Sequence, residues 1–426
     1  MTVLFALLAY LRCRWVTRAH RSRAGFLRWQ DRAYRRWLRC DLPRVAFYAD
    51  RAPNDLPMID KALLMRRFGD FNRHHITADQ VRAAIADDCR IGALTVGTST
   101  GTSGNRGLFV ISDAERFQWL GVMLAKALPD VWRRRHRVAV ILPRHTALYD
   151  SAGQSRALTL QLHDLTAGPD HWLPRLLAQD PTVIVAPPKV LVWLADHDLP
   201  LQPRRVFSAA ETLDPPDRTR IEARFGAPLG QIYMATEGLL GVTCAHGTLH
   251  LAEDVIRFEL QPVGDLVSPV ISGFTRREQI LCRYRMNDLL RLAPMPCRCG
   301  SPLQAVAEVV GRADDLFRFG ALRITPDVLR NTVLDADPEI ADFRLIQHDA
   351  DRLTLILPPD LAPEAADRAV AALSHRLRRL LPGPPPRIDL LRQPLLAPAD
   401  HKLRRVEYRG PPDAGPDTEP LCGPTA

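Results

Sequence analysis

Lysine is scarce in this sequence. Only four of the 57 basic residues are lysines, namely Lys61, Lys126, Lys189 and Lys402. Arginine therefore supplies most of the positive charge. A lysine that is kept is either wanted for its compact ammonium group or left by chance. Long apolar runs are missing too. The longest, near the N-terminus, has about ten residues, too few to span a bilayer.

The main body of the chain lacks a basic excess. Residues 1–45 contain eleven arginines and two aspartates, which accounts for the whole net charge of +9. In the rest of the chain the basic and acidic residues are equal in number, which argues against a nucleic-acid groove. The stretch "RSRAGFLRWQDRAYRRWLRC" favours an amphipathic helix whose arginine side chains lie along its apolar surface, and a membrane or RNA surface is the alternative. We expect no nucleic-acid partner and at most weak peripheral membrane contact.

Cysteine is infrequent for a chain of this length. Eight cysteines in 426 residues do not form a dense disulfide framework, which fits a reducing compartment. The arginines follow the N-terminal apolar run instead of preceding it, and no small-residue cleavage site follows, so the segment is not typical of a signal peptide. These features predict a cytoplasmic protein.

The order of apolar and helical stretches predicts an α/β fold. Between about residues 90 and 310, β-branched runs alternate with helical stretches, which is typical of a core with a parallel sheet. A strand-rich stretch at its end predicts a small antiparallel portion. The β-α-β-β-α order that follows predicts a compact α+β domain of about 100 residues. We expect a helical segment of the large domain at 1–85, its core at 86–312, a C-terminal lid domain at 313–410 and a disordered tail at 411–426.

A loop rich in glycine and hydroxyl groups, "STGTSGNRG", follows the predicted strand "IGALTV". Its amides can form a concave nest for phosphate oxygens, and its hydroxyls add donors. It has neither the lysine of a Walker A loop nor the spacing of the dinucleotide fingerprint, so a flexible surface turn is the alternative. The candidate phosphate ligands are Ser99, Thr100, Gly101, Thr102, Ser103 and Gly104.

Three further segments carry groups suited to a nucleotide. In "QIYMATEG", Glu237 lies on a turn where a carboxylate can hold Mg²⁺, or where it is an ordinary loop acid. In "RYRMNDLLRL", Asp288 can accept the two hydroxyls of a ribose, or it can pair with Arg285 or Arg291. In "ADHKLRRVEYRG", Lys402 lies in a polar loop, where a solvated lysine is the alternative.

In this order and spacing, the segments resemble the adenylate-forming superfamily of acyl-CoA synthetases, adenylation domains and luciferases. "STGTSGNRG" matches its phosphate loop, "YMATEG" its Tyr-Gly-x-Thr-Glu motif and "YRMNDL" its Tyr-Arg-Thr-Gly-Asp-Leu motif. "GRADDLFRFGALRI" matches the hinge motif, "HKLRR" the motif with the catalytic lysine and "SAAETL" the adenine-side segment. "LPMIDKALLMRRF" and "PCRCGSPLQAVAEVVGRADD" resemble the compact branch of phenylacetate–CoA ligases, deazaflavin-coenzyme adenylylating synthetases and capsule-locus proteins.

The resemblance implies an enzyme that joins a small carboxylic acid to the α-phosphate of ATP and then transfers the acyl group to CoA or to the phosphopantetheine of a carrier protein. Two alternatives are direct adenylyl transfer, with AMP kept on the product, and a nucleotide-binding or membrane-peripheral scaffold without activity. The resemblance implies that Thr236 contacts the α-phosphate, that Glu237 holds Mg²⁺, and that Asp288 and Arg312 lie at the ribose. It also implies that Ala210, Glu211 and Tyr233 flank the adenine and that Asp314 is the hinge residue. Lys402 would then bridge the carboxylate and the α-phosphate.

Three motifs depart from the family pattern. Asn105 and Arg106 stand where a Lys-Pro-Lys ending is usual, in a loop one residue shorter. Asn287 replaces the glycine before the ribose aspartate, and His401 replaces the glycine before the lysine. The charged positions of the other motifs are kept.

Four soft or borderline ligands can form a metal site. Cys244, His250, Cys297 and Cys299 have the residue types of a tetrahedral zinc site, and some phenylacetate–CoA ligase relatives have such residues at the same places. A site with all four positions filled would be structural. The alternatives are four unpaired residues, His246 as a competing ligand, and Cys282 as a strand residue.

Overall fold

The computed structural model describes residues 2–98, 107–142, 158–395, 404–410 and 421–422. Four helices begin the chain and precede the first strand, as the helical pattern predicts. They are α1 (Thr2–Ala19), α2 (Arg23–Cys40), α3 (Lys61–Arg66) and α4 (Ala78–Ile85). Ser22 starts α2 by accepting a hydrogen bond from the Gly25 amide at 3.2 Å.

A three-stranded antiparallel sheet follows. Its strands are β1 (Arg90–Ile91), β2 (Leu94–Thr98) and β3 (Leu108–Ser112), and α5 (Asp113–Ala127) comes next. Ser112 and Glu115 form a capping box at the start of α5. Helix α1 packs along α5 at Gly121, where an added Cβ would come within 2.1 Å of the Ala6 carbonyl oxygen. Only glycine permits this backbone approach.

The parallel half of the large sheet has the order β5-β4-β6-β7-β8. Helices alternate with these strands, which are mostly buried because helices cover them. The elements are β4 (His136–Leu142), β5 (Leu158–Asp164), α6 (Pro169–Gln179), β6 (Val183–Ala186), α7 (Pro188–Asp196), β7 (Arg205–Ala209), α8 (Pro215–Phe225) and β8 (Leu229–Ala235).

The antiparallel half continues the same sheet and is more extensive than the sequence indicates. Together the two halves form a 12-stranded sheet. The added strands are β9 (Gly238–Thr243), β10 (Leu249–Leu251), β11 (Arg257–Val263), β12 (Leu266–Ser272), β13 (Tyr284–Arg285), β14 (Asp288–Leu292) and β15 (Ala305–Arg312).

The C-terminal unit has its own core, which includes Phe317, Phe343 and Leu373. Its four-stranded sheet has the order β20-β19-β18-β21. Within the tail for which we predict disorder, residues 421–422 pair with Arg323 and Ile324. The elements are β16 (Phe317–Phe319), β17 (Leu322–Ile324), α9 (Pro326–Leu334), β18 (Arg344–Gln347), β19 (Arg352–Leu357), α10 (Pro363–Leu380), β20 (Arg387–Arg392), β21 (Val406–Tyr408) and β22 (Leu421–Cys422).

The mixed α/β architecture confirms the predicted fold class. Strands β20 and β21 were not among the predicted elements. Among the described helices, none combines the length and apolar character needed to cross a membrane.

Candidate active site

The predicted phosphate loop connects two paired strands. Residues 99–106, including the candidate ligands at 99–104, lie outside the described residues, but both flanks are described. Thr98 pairs with Leu108 across the β2–β3 hairpin. At the end of the loop, an added Cβ on Gly107 would lie 3.2 Å from the Thr236 hydroxyl oxygen. The end of the loop therefore lies directly against the predicted α-phosphate ligand.

Glu237 lies beside Thr236 on the turn between β8 and β9. Burial raises the pKa of Glu237, although its carboxylate accepts a hydrogen bond from the Tyr284 hydroxyl. Burial also raises the pKa of Tyr284, so this hydroxyl stays a neutral donor. The pocket around these groups is lined by Lys61, Leu64, Gly107, Leu108, Thr236, Glu237, Ile271, Gly273, Arg276, Gln279, Leu281 and Tyr284.

Lys61 is a pocket residue that the sequence reasoning missed as a site residue. It is the first residue of α3, and Asp60 caps this helix by accepting from the Leu63 amide at 2.7 Å. Burial lowers the pKa of Lys61, and the nearby Glu237 carboxylate opposes that effect. The scarcity of lysine was the available signal for this position. The pocket thus brings an ammonium group and a carboxylate together.

Tyr233 and Asp288, predicted to hold adenine and ribose, contact each other. The Tyr233 hydroxyl donates to the Asp288 carboxylate at 2.6 Å. Arg312, the other residue predicted at the ribose, lies opposite Asp288 in the β14–β15 pairing. Arg291, a candidate ion-pair partner of Asp288, binds the carboxylate of Asp327 at 2.7 Å.

The adenine-side segment follows β7. Because Ala209 pairs with Ile232, Ala210 lies next to Tyr233 at the carboxyl ends of parallel strands, where α/β folds bind ligands. Ala210 has a left-handed backbone with φ of 70°, which is uncommon outside glycine. The Glu211 carboxylate is 3.5 Å from the ammonium of Lys189.

Asn287 holds the predicted hinge residue. Its side-chain carbonyl accepts from the Asp314 amide at 3.2 Å, and its side-chain amide donates to the Asp314 carboxylate. Its backbone carbonyl accepts from the Ala313 amide at 2.9 Å. Glycine, the residue usual in the family motif, has no side chain to make the first two bonds. The departure at position 287 therefore provides two hydrogen bonds to the predicted hinge residue.

Lys402 and His401 lie outside the described residues, but the chain just after them is anchored. Arg404 pairs with Asp315 beside the hinge. The Arg405 guanidinium is buried and contacts Asp214, Asp217 at 2.9 Å and Asp342 at 2.8 Å.

Arg330 also contacts Asp214, one of the aspartates that Arg405 contacts. Arg330 of α9 lies 3.0 Å from Asp214 and 2.6 Å from Glu308. Burial raises the pKa of Asp217, even though Arg405 opposes this. These buried ion pairs connect the C-terminal unit to the start of α8 and to β15. We call Arg330, Arg405, Asp214 and Asp217 the interdomain cluster.

The four predicted metal ligands come together. The candidate ligand atoms of Cys244, His250, Cys297 and Cys299 all lie within 4.8 Å of one another. The Cys244 and Cys297 sulfurs are 3.7 Å apart, and the Cys299 sulfur is 3.4 Å from His250 Nε2. His250 Nδ1 lies 3.1 Å from the Leu303 carbonyl, which leaves Nε2 directed at the sulfurs. His246 is exposed and is not part of the cluster, and Cys282 is a buried residue before β13.

The fold is that of solved adenylate-forming ligases. The chain is similar to a 2-hydroxyisobutyryl-CoA ligase solved in the postadenylation state with 2-HIB-AMP, with a TM-score of 0.63, 18% identity and coverage of 94% of this chain and 89% of that one. A benzoate CoA ligase from Burkholderia xenovorans has a TM-score of 0.51 and 17% identity over 75% of this chain and 69% of its own.

Two curated relatives match over part of their sequences. A phenylacetate–coenzyme A ligase of Pseudomonas putida is 26% identical over 177 residues, which cover 36% of this chain and 39% of the relative. Protein CapK of Staphylococcus aureus is 23% identical over 175 residues, which cover 40% of this chain and 39% of the relative. The matches thus span about two fifths of each relative. No protein-family profile matches the chain. These findings confirm the resemblance to the adenylate-forming superfamily and its phenylacetate–CoA ligase branch.

Proposed function

We propose that this protein activates a carboxylic acid with ATP, forms an acyl-adenylate with release of pyrophosphate, and passes the acyl group to a thiol. The observation that carries the proposal is the pocket in which the end of the glycine-rich loop, Thr236, Glu237 and Lys61 meet. The Tyr233–Asp288 pair supplies the ribose side. The fold, shared with ligases that bind acyl-adenylates, agrees with this assignment.

In the first step, a carboxylate oxygen of the acid attacks the α-phosphorus, and the bond to the β-phosphate oxygen breaks. Both reactants are anions, so electrostatic positioning dominates the catalysis. The hydroxyls and amides of residues 99–104 hold the β- and γ-phosphates, and Thr236 contacts the α-phosphate. Lys61 provides, from the large domain, the positive charge that the loop lacks at its usual lysine. Lys402 bridges the carboxylate and the α-phosphate when the C-terminal domain is closed.

The donor set fits Mg²⁺. Glu237 and Thr236 offer oxygen ligands next to the position proposed for the phosphates, and Mg²⁺ prefers oxygen ligands shared with phosphate. A carboxylate whose pKa is raised by burial gains from a cation beside it. When bound, Mg²⁺ would neutralise charge on the leaving pyrophosphate.

In the second step, the thiol sulfur attacks the acyl carbonyl, the thiol proton is lost and AMP leaves. The C-terminal domain turns about Asp314 between the steps, which withdraws Lys402 and admits the acceptor. The acceptor is CoA or the phosphopantetheine of a carrier protein.

We also propose that the cysteine–histidine cluster holds a structural zinc ion. The four clustered ligand atoms, three thiol sulfurs and one imidazole nitrogen, and the oriented His250 ring support this site. Zinc would connect the β9–β10 hairpin to the loop before β15. Bound zinc is measured in the purified protein and in Cys297→Ser. We expect one ion per chain in the wild type and its loss in the variant, and equal metal content in both would contradict the site.

The proposed activity is tested by a pyrophosphate-release screen over aryl, fatty and hydroxy acids, followed by identification of the products. We expect pyrophosphate to be released only when ATP and a matching acid are both present. Once a thiol is added, we expect AMP and a thioester as the products. AMP retained on the product would instead indicate adenylyl transfer. Release that does not depend on any acid would overturn the proposal.

Two variants distinguish the proposed roles of Lys61 and Lys402. Lys402→Ala is expected to abolish acid-dependent ATP–pyrophosphate exchange, and Lys61→Ala to raise the KM for ATP. Arg352→Ala, an exposed basic residue of the C-terminal domain, is the matched control and is expected to leave both unchanged. Full exchange activity in Lys402→Ala would favour the scaffold alternative or a different catalytic group.

A further inference from the structure

Helix α1 carries an apolar row on its outward face. Leu4, Leu8, Leu11 and Trp15 are 55%, 54%, 51% and 59% exposed, and their spacing of four, three and four residues puts them on one side of the helix. The opposite side is buried against the protein and includes Tyr10. A surface helix of a globular protein normally presents polar residues outward, so this row needs a partner.

A second exposed segment contacts α1 beside the buried side of the helix. Trp132 is 62% exposed, and its ring packs edge-on against Tyr10 of α1 at 5.8 Å between centroids. The three arginines that follow, at 133–135, are all exposed. Exposed tryptophan beside exposed arginine is the pattern of a protein surface that enters the boundary between lipid headgroups and acyl chains. We call the apolar row of α1 together with residues 132–135 the α1 surface.

The N-terminal segment that contains α1 is strongly positive. Residues 1–45 carry the full net charge of +9. On α2, Arg28, Arg32, Arg35 and Arg39 are exposed and repeat the spacing of four, three and four residues. Near an anionic bilayer, each basic side chain contributes about 1 kcal/mol of attraction. The charge therefore complements anionic lipid, whereas two copies of this surface would repel each other.

We propose that the α1 surface binds a membrane that contains anionic lipid. The apolar row lies in the headgroup region with α1 parallel to the bilayer plane, and the surrounding arginines contact lipid phosphates. This inference does not depend on the activity proposed above.

The test is co-sedimentation of the full chain with vesicles of phosphatidylcholine alone or mixed with phosphatidylglycerol. We expect about a hundredfold tighter binding to the anionic vesicles, from three or more basic contacts, and weaker binding as salt rises. The double variant Leu8→Glu/Leu11→Glu is expected to lose this binding. Leu391→Glu, which changes a leucine of similar exposure on β20, is the matched control and is expected to bind like the wild type.

A second variant keeps the test independent of the folding of α1. Arg133→Glu/Arg134→Glu lies outside the helix and is expected to weaken binding about tenfold or more, with an unchanged circular dichroism spectrum. Anionic-vesicle binding that survives both double variants would overturn the proposal. So would a wild-type dimer that Leu8→Glu/Leu11→Glu converts to a monomer, or binding to single-stranded RNA with none to vesicles.

Discussion

Arg405→Ala removes one arginine of the interdomain cluster and should loosen the C-terminal domain. In the wild type, the Arg405 guanidinium contacts Asp214, Asp217 and Asp342. Removing one partner of a buried ion pair costs about 3–5 kcal/mol, because the remaining charge stays buried. Asp214 keeps Arg330 as a partner, which favours the lower end of this range. About 3 kcal/mol corresponds to a factor of about a hundred in the docking equilibrium.

Hydrogen exchange read by mass spectrometry measures this change. We expect amide exchange in β21 and in the first turn of α8 to accelerate about a hundredfold, with α10 unchanged because its contacts lie within the C-terminal core. Arg344→Ala is the matched control, since Arg344 pairs with Glu407 inside the same domain at 2.9 Å. Equal acceleration in the two variants, or a uniform increase that includes α10, would refute the reasoning.

Three further predictions concern the pocket and the hinge. Gly107→Ala pushes the loop away from Thr236 and should raise the KM for ATP severalfold, while Gly383→Ala, with no atom within 4 Å of the new Cβ, should not. The pKa of Glu237 is raised, so the stability that its protonated form contributes is present below the ordinary carboxyl pKa and disappears as the pH rises through the raised pKa. The Tm of Glu237→Gln should therefore increase relative to the wild-type Tm as the pH rises. A Tm difference that stays constant with pH would contradict this. Asn287→Gly removes two hydrogen bonds to the predicted hinge residue Asp314, each worth about 1 kcal/mol. It should change the ratio of pyrophosphate exchange to thioester formation by roughly tenfold. An unchanged ratio would show that these two hydrogen bonds have no part in domain motion.

The order of the motifs assigns Tyr233 and Asp288 to one predicted site. The two residues are far apart in the chain, and their side chains meet at 2.6 Å. The four metal-ligand candidates also meet, and their residue types alone predicted this. Local patterns gave the helices of the C-terminal unit, since their apolar residues recur with helical spacing.

Long-range packing explains what was missed. Lys61 enters the pocket because Ile59 forms a bridge with Tyr284, and the Ile59 amide donates to the Arg283 carbonyl at 2.9 Å. No local pattern encodes a contact over more than two hundred residues. The strand predicted before the phosphate loop exists, but it belongs to a separate antiparallel hairpin. Which strands this strand pairs with depends on tertiary structure, which short apolar runs do not specify.

Strand β15 links the cysteine–histidine cluster to the predicted hinge segment. At one end, Ala305 pairs with His250, and at the other, Arg312 lies opposite Asp288, one residue before the hinge segment. Eight residues of strand measure about 26 Å. The strand is therefore a spacer of fixed length. A slip of one residue would turn every side chain to the other face of the sheet, so the pairing of Ala305 with His250 at one end also sets the alignment of Arg312 with Asp288 at the other.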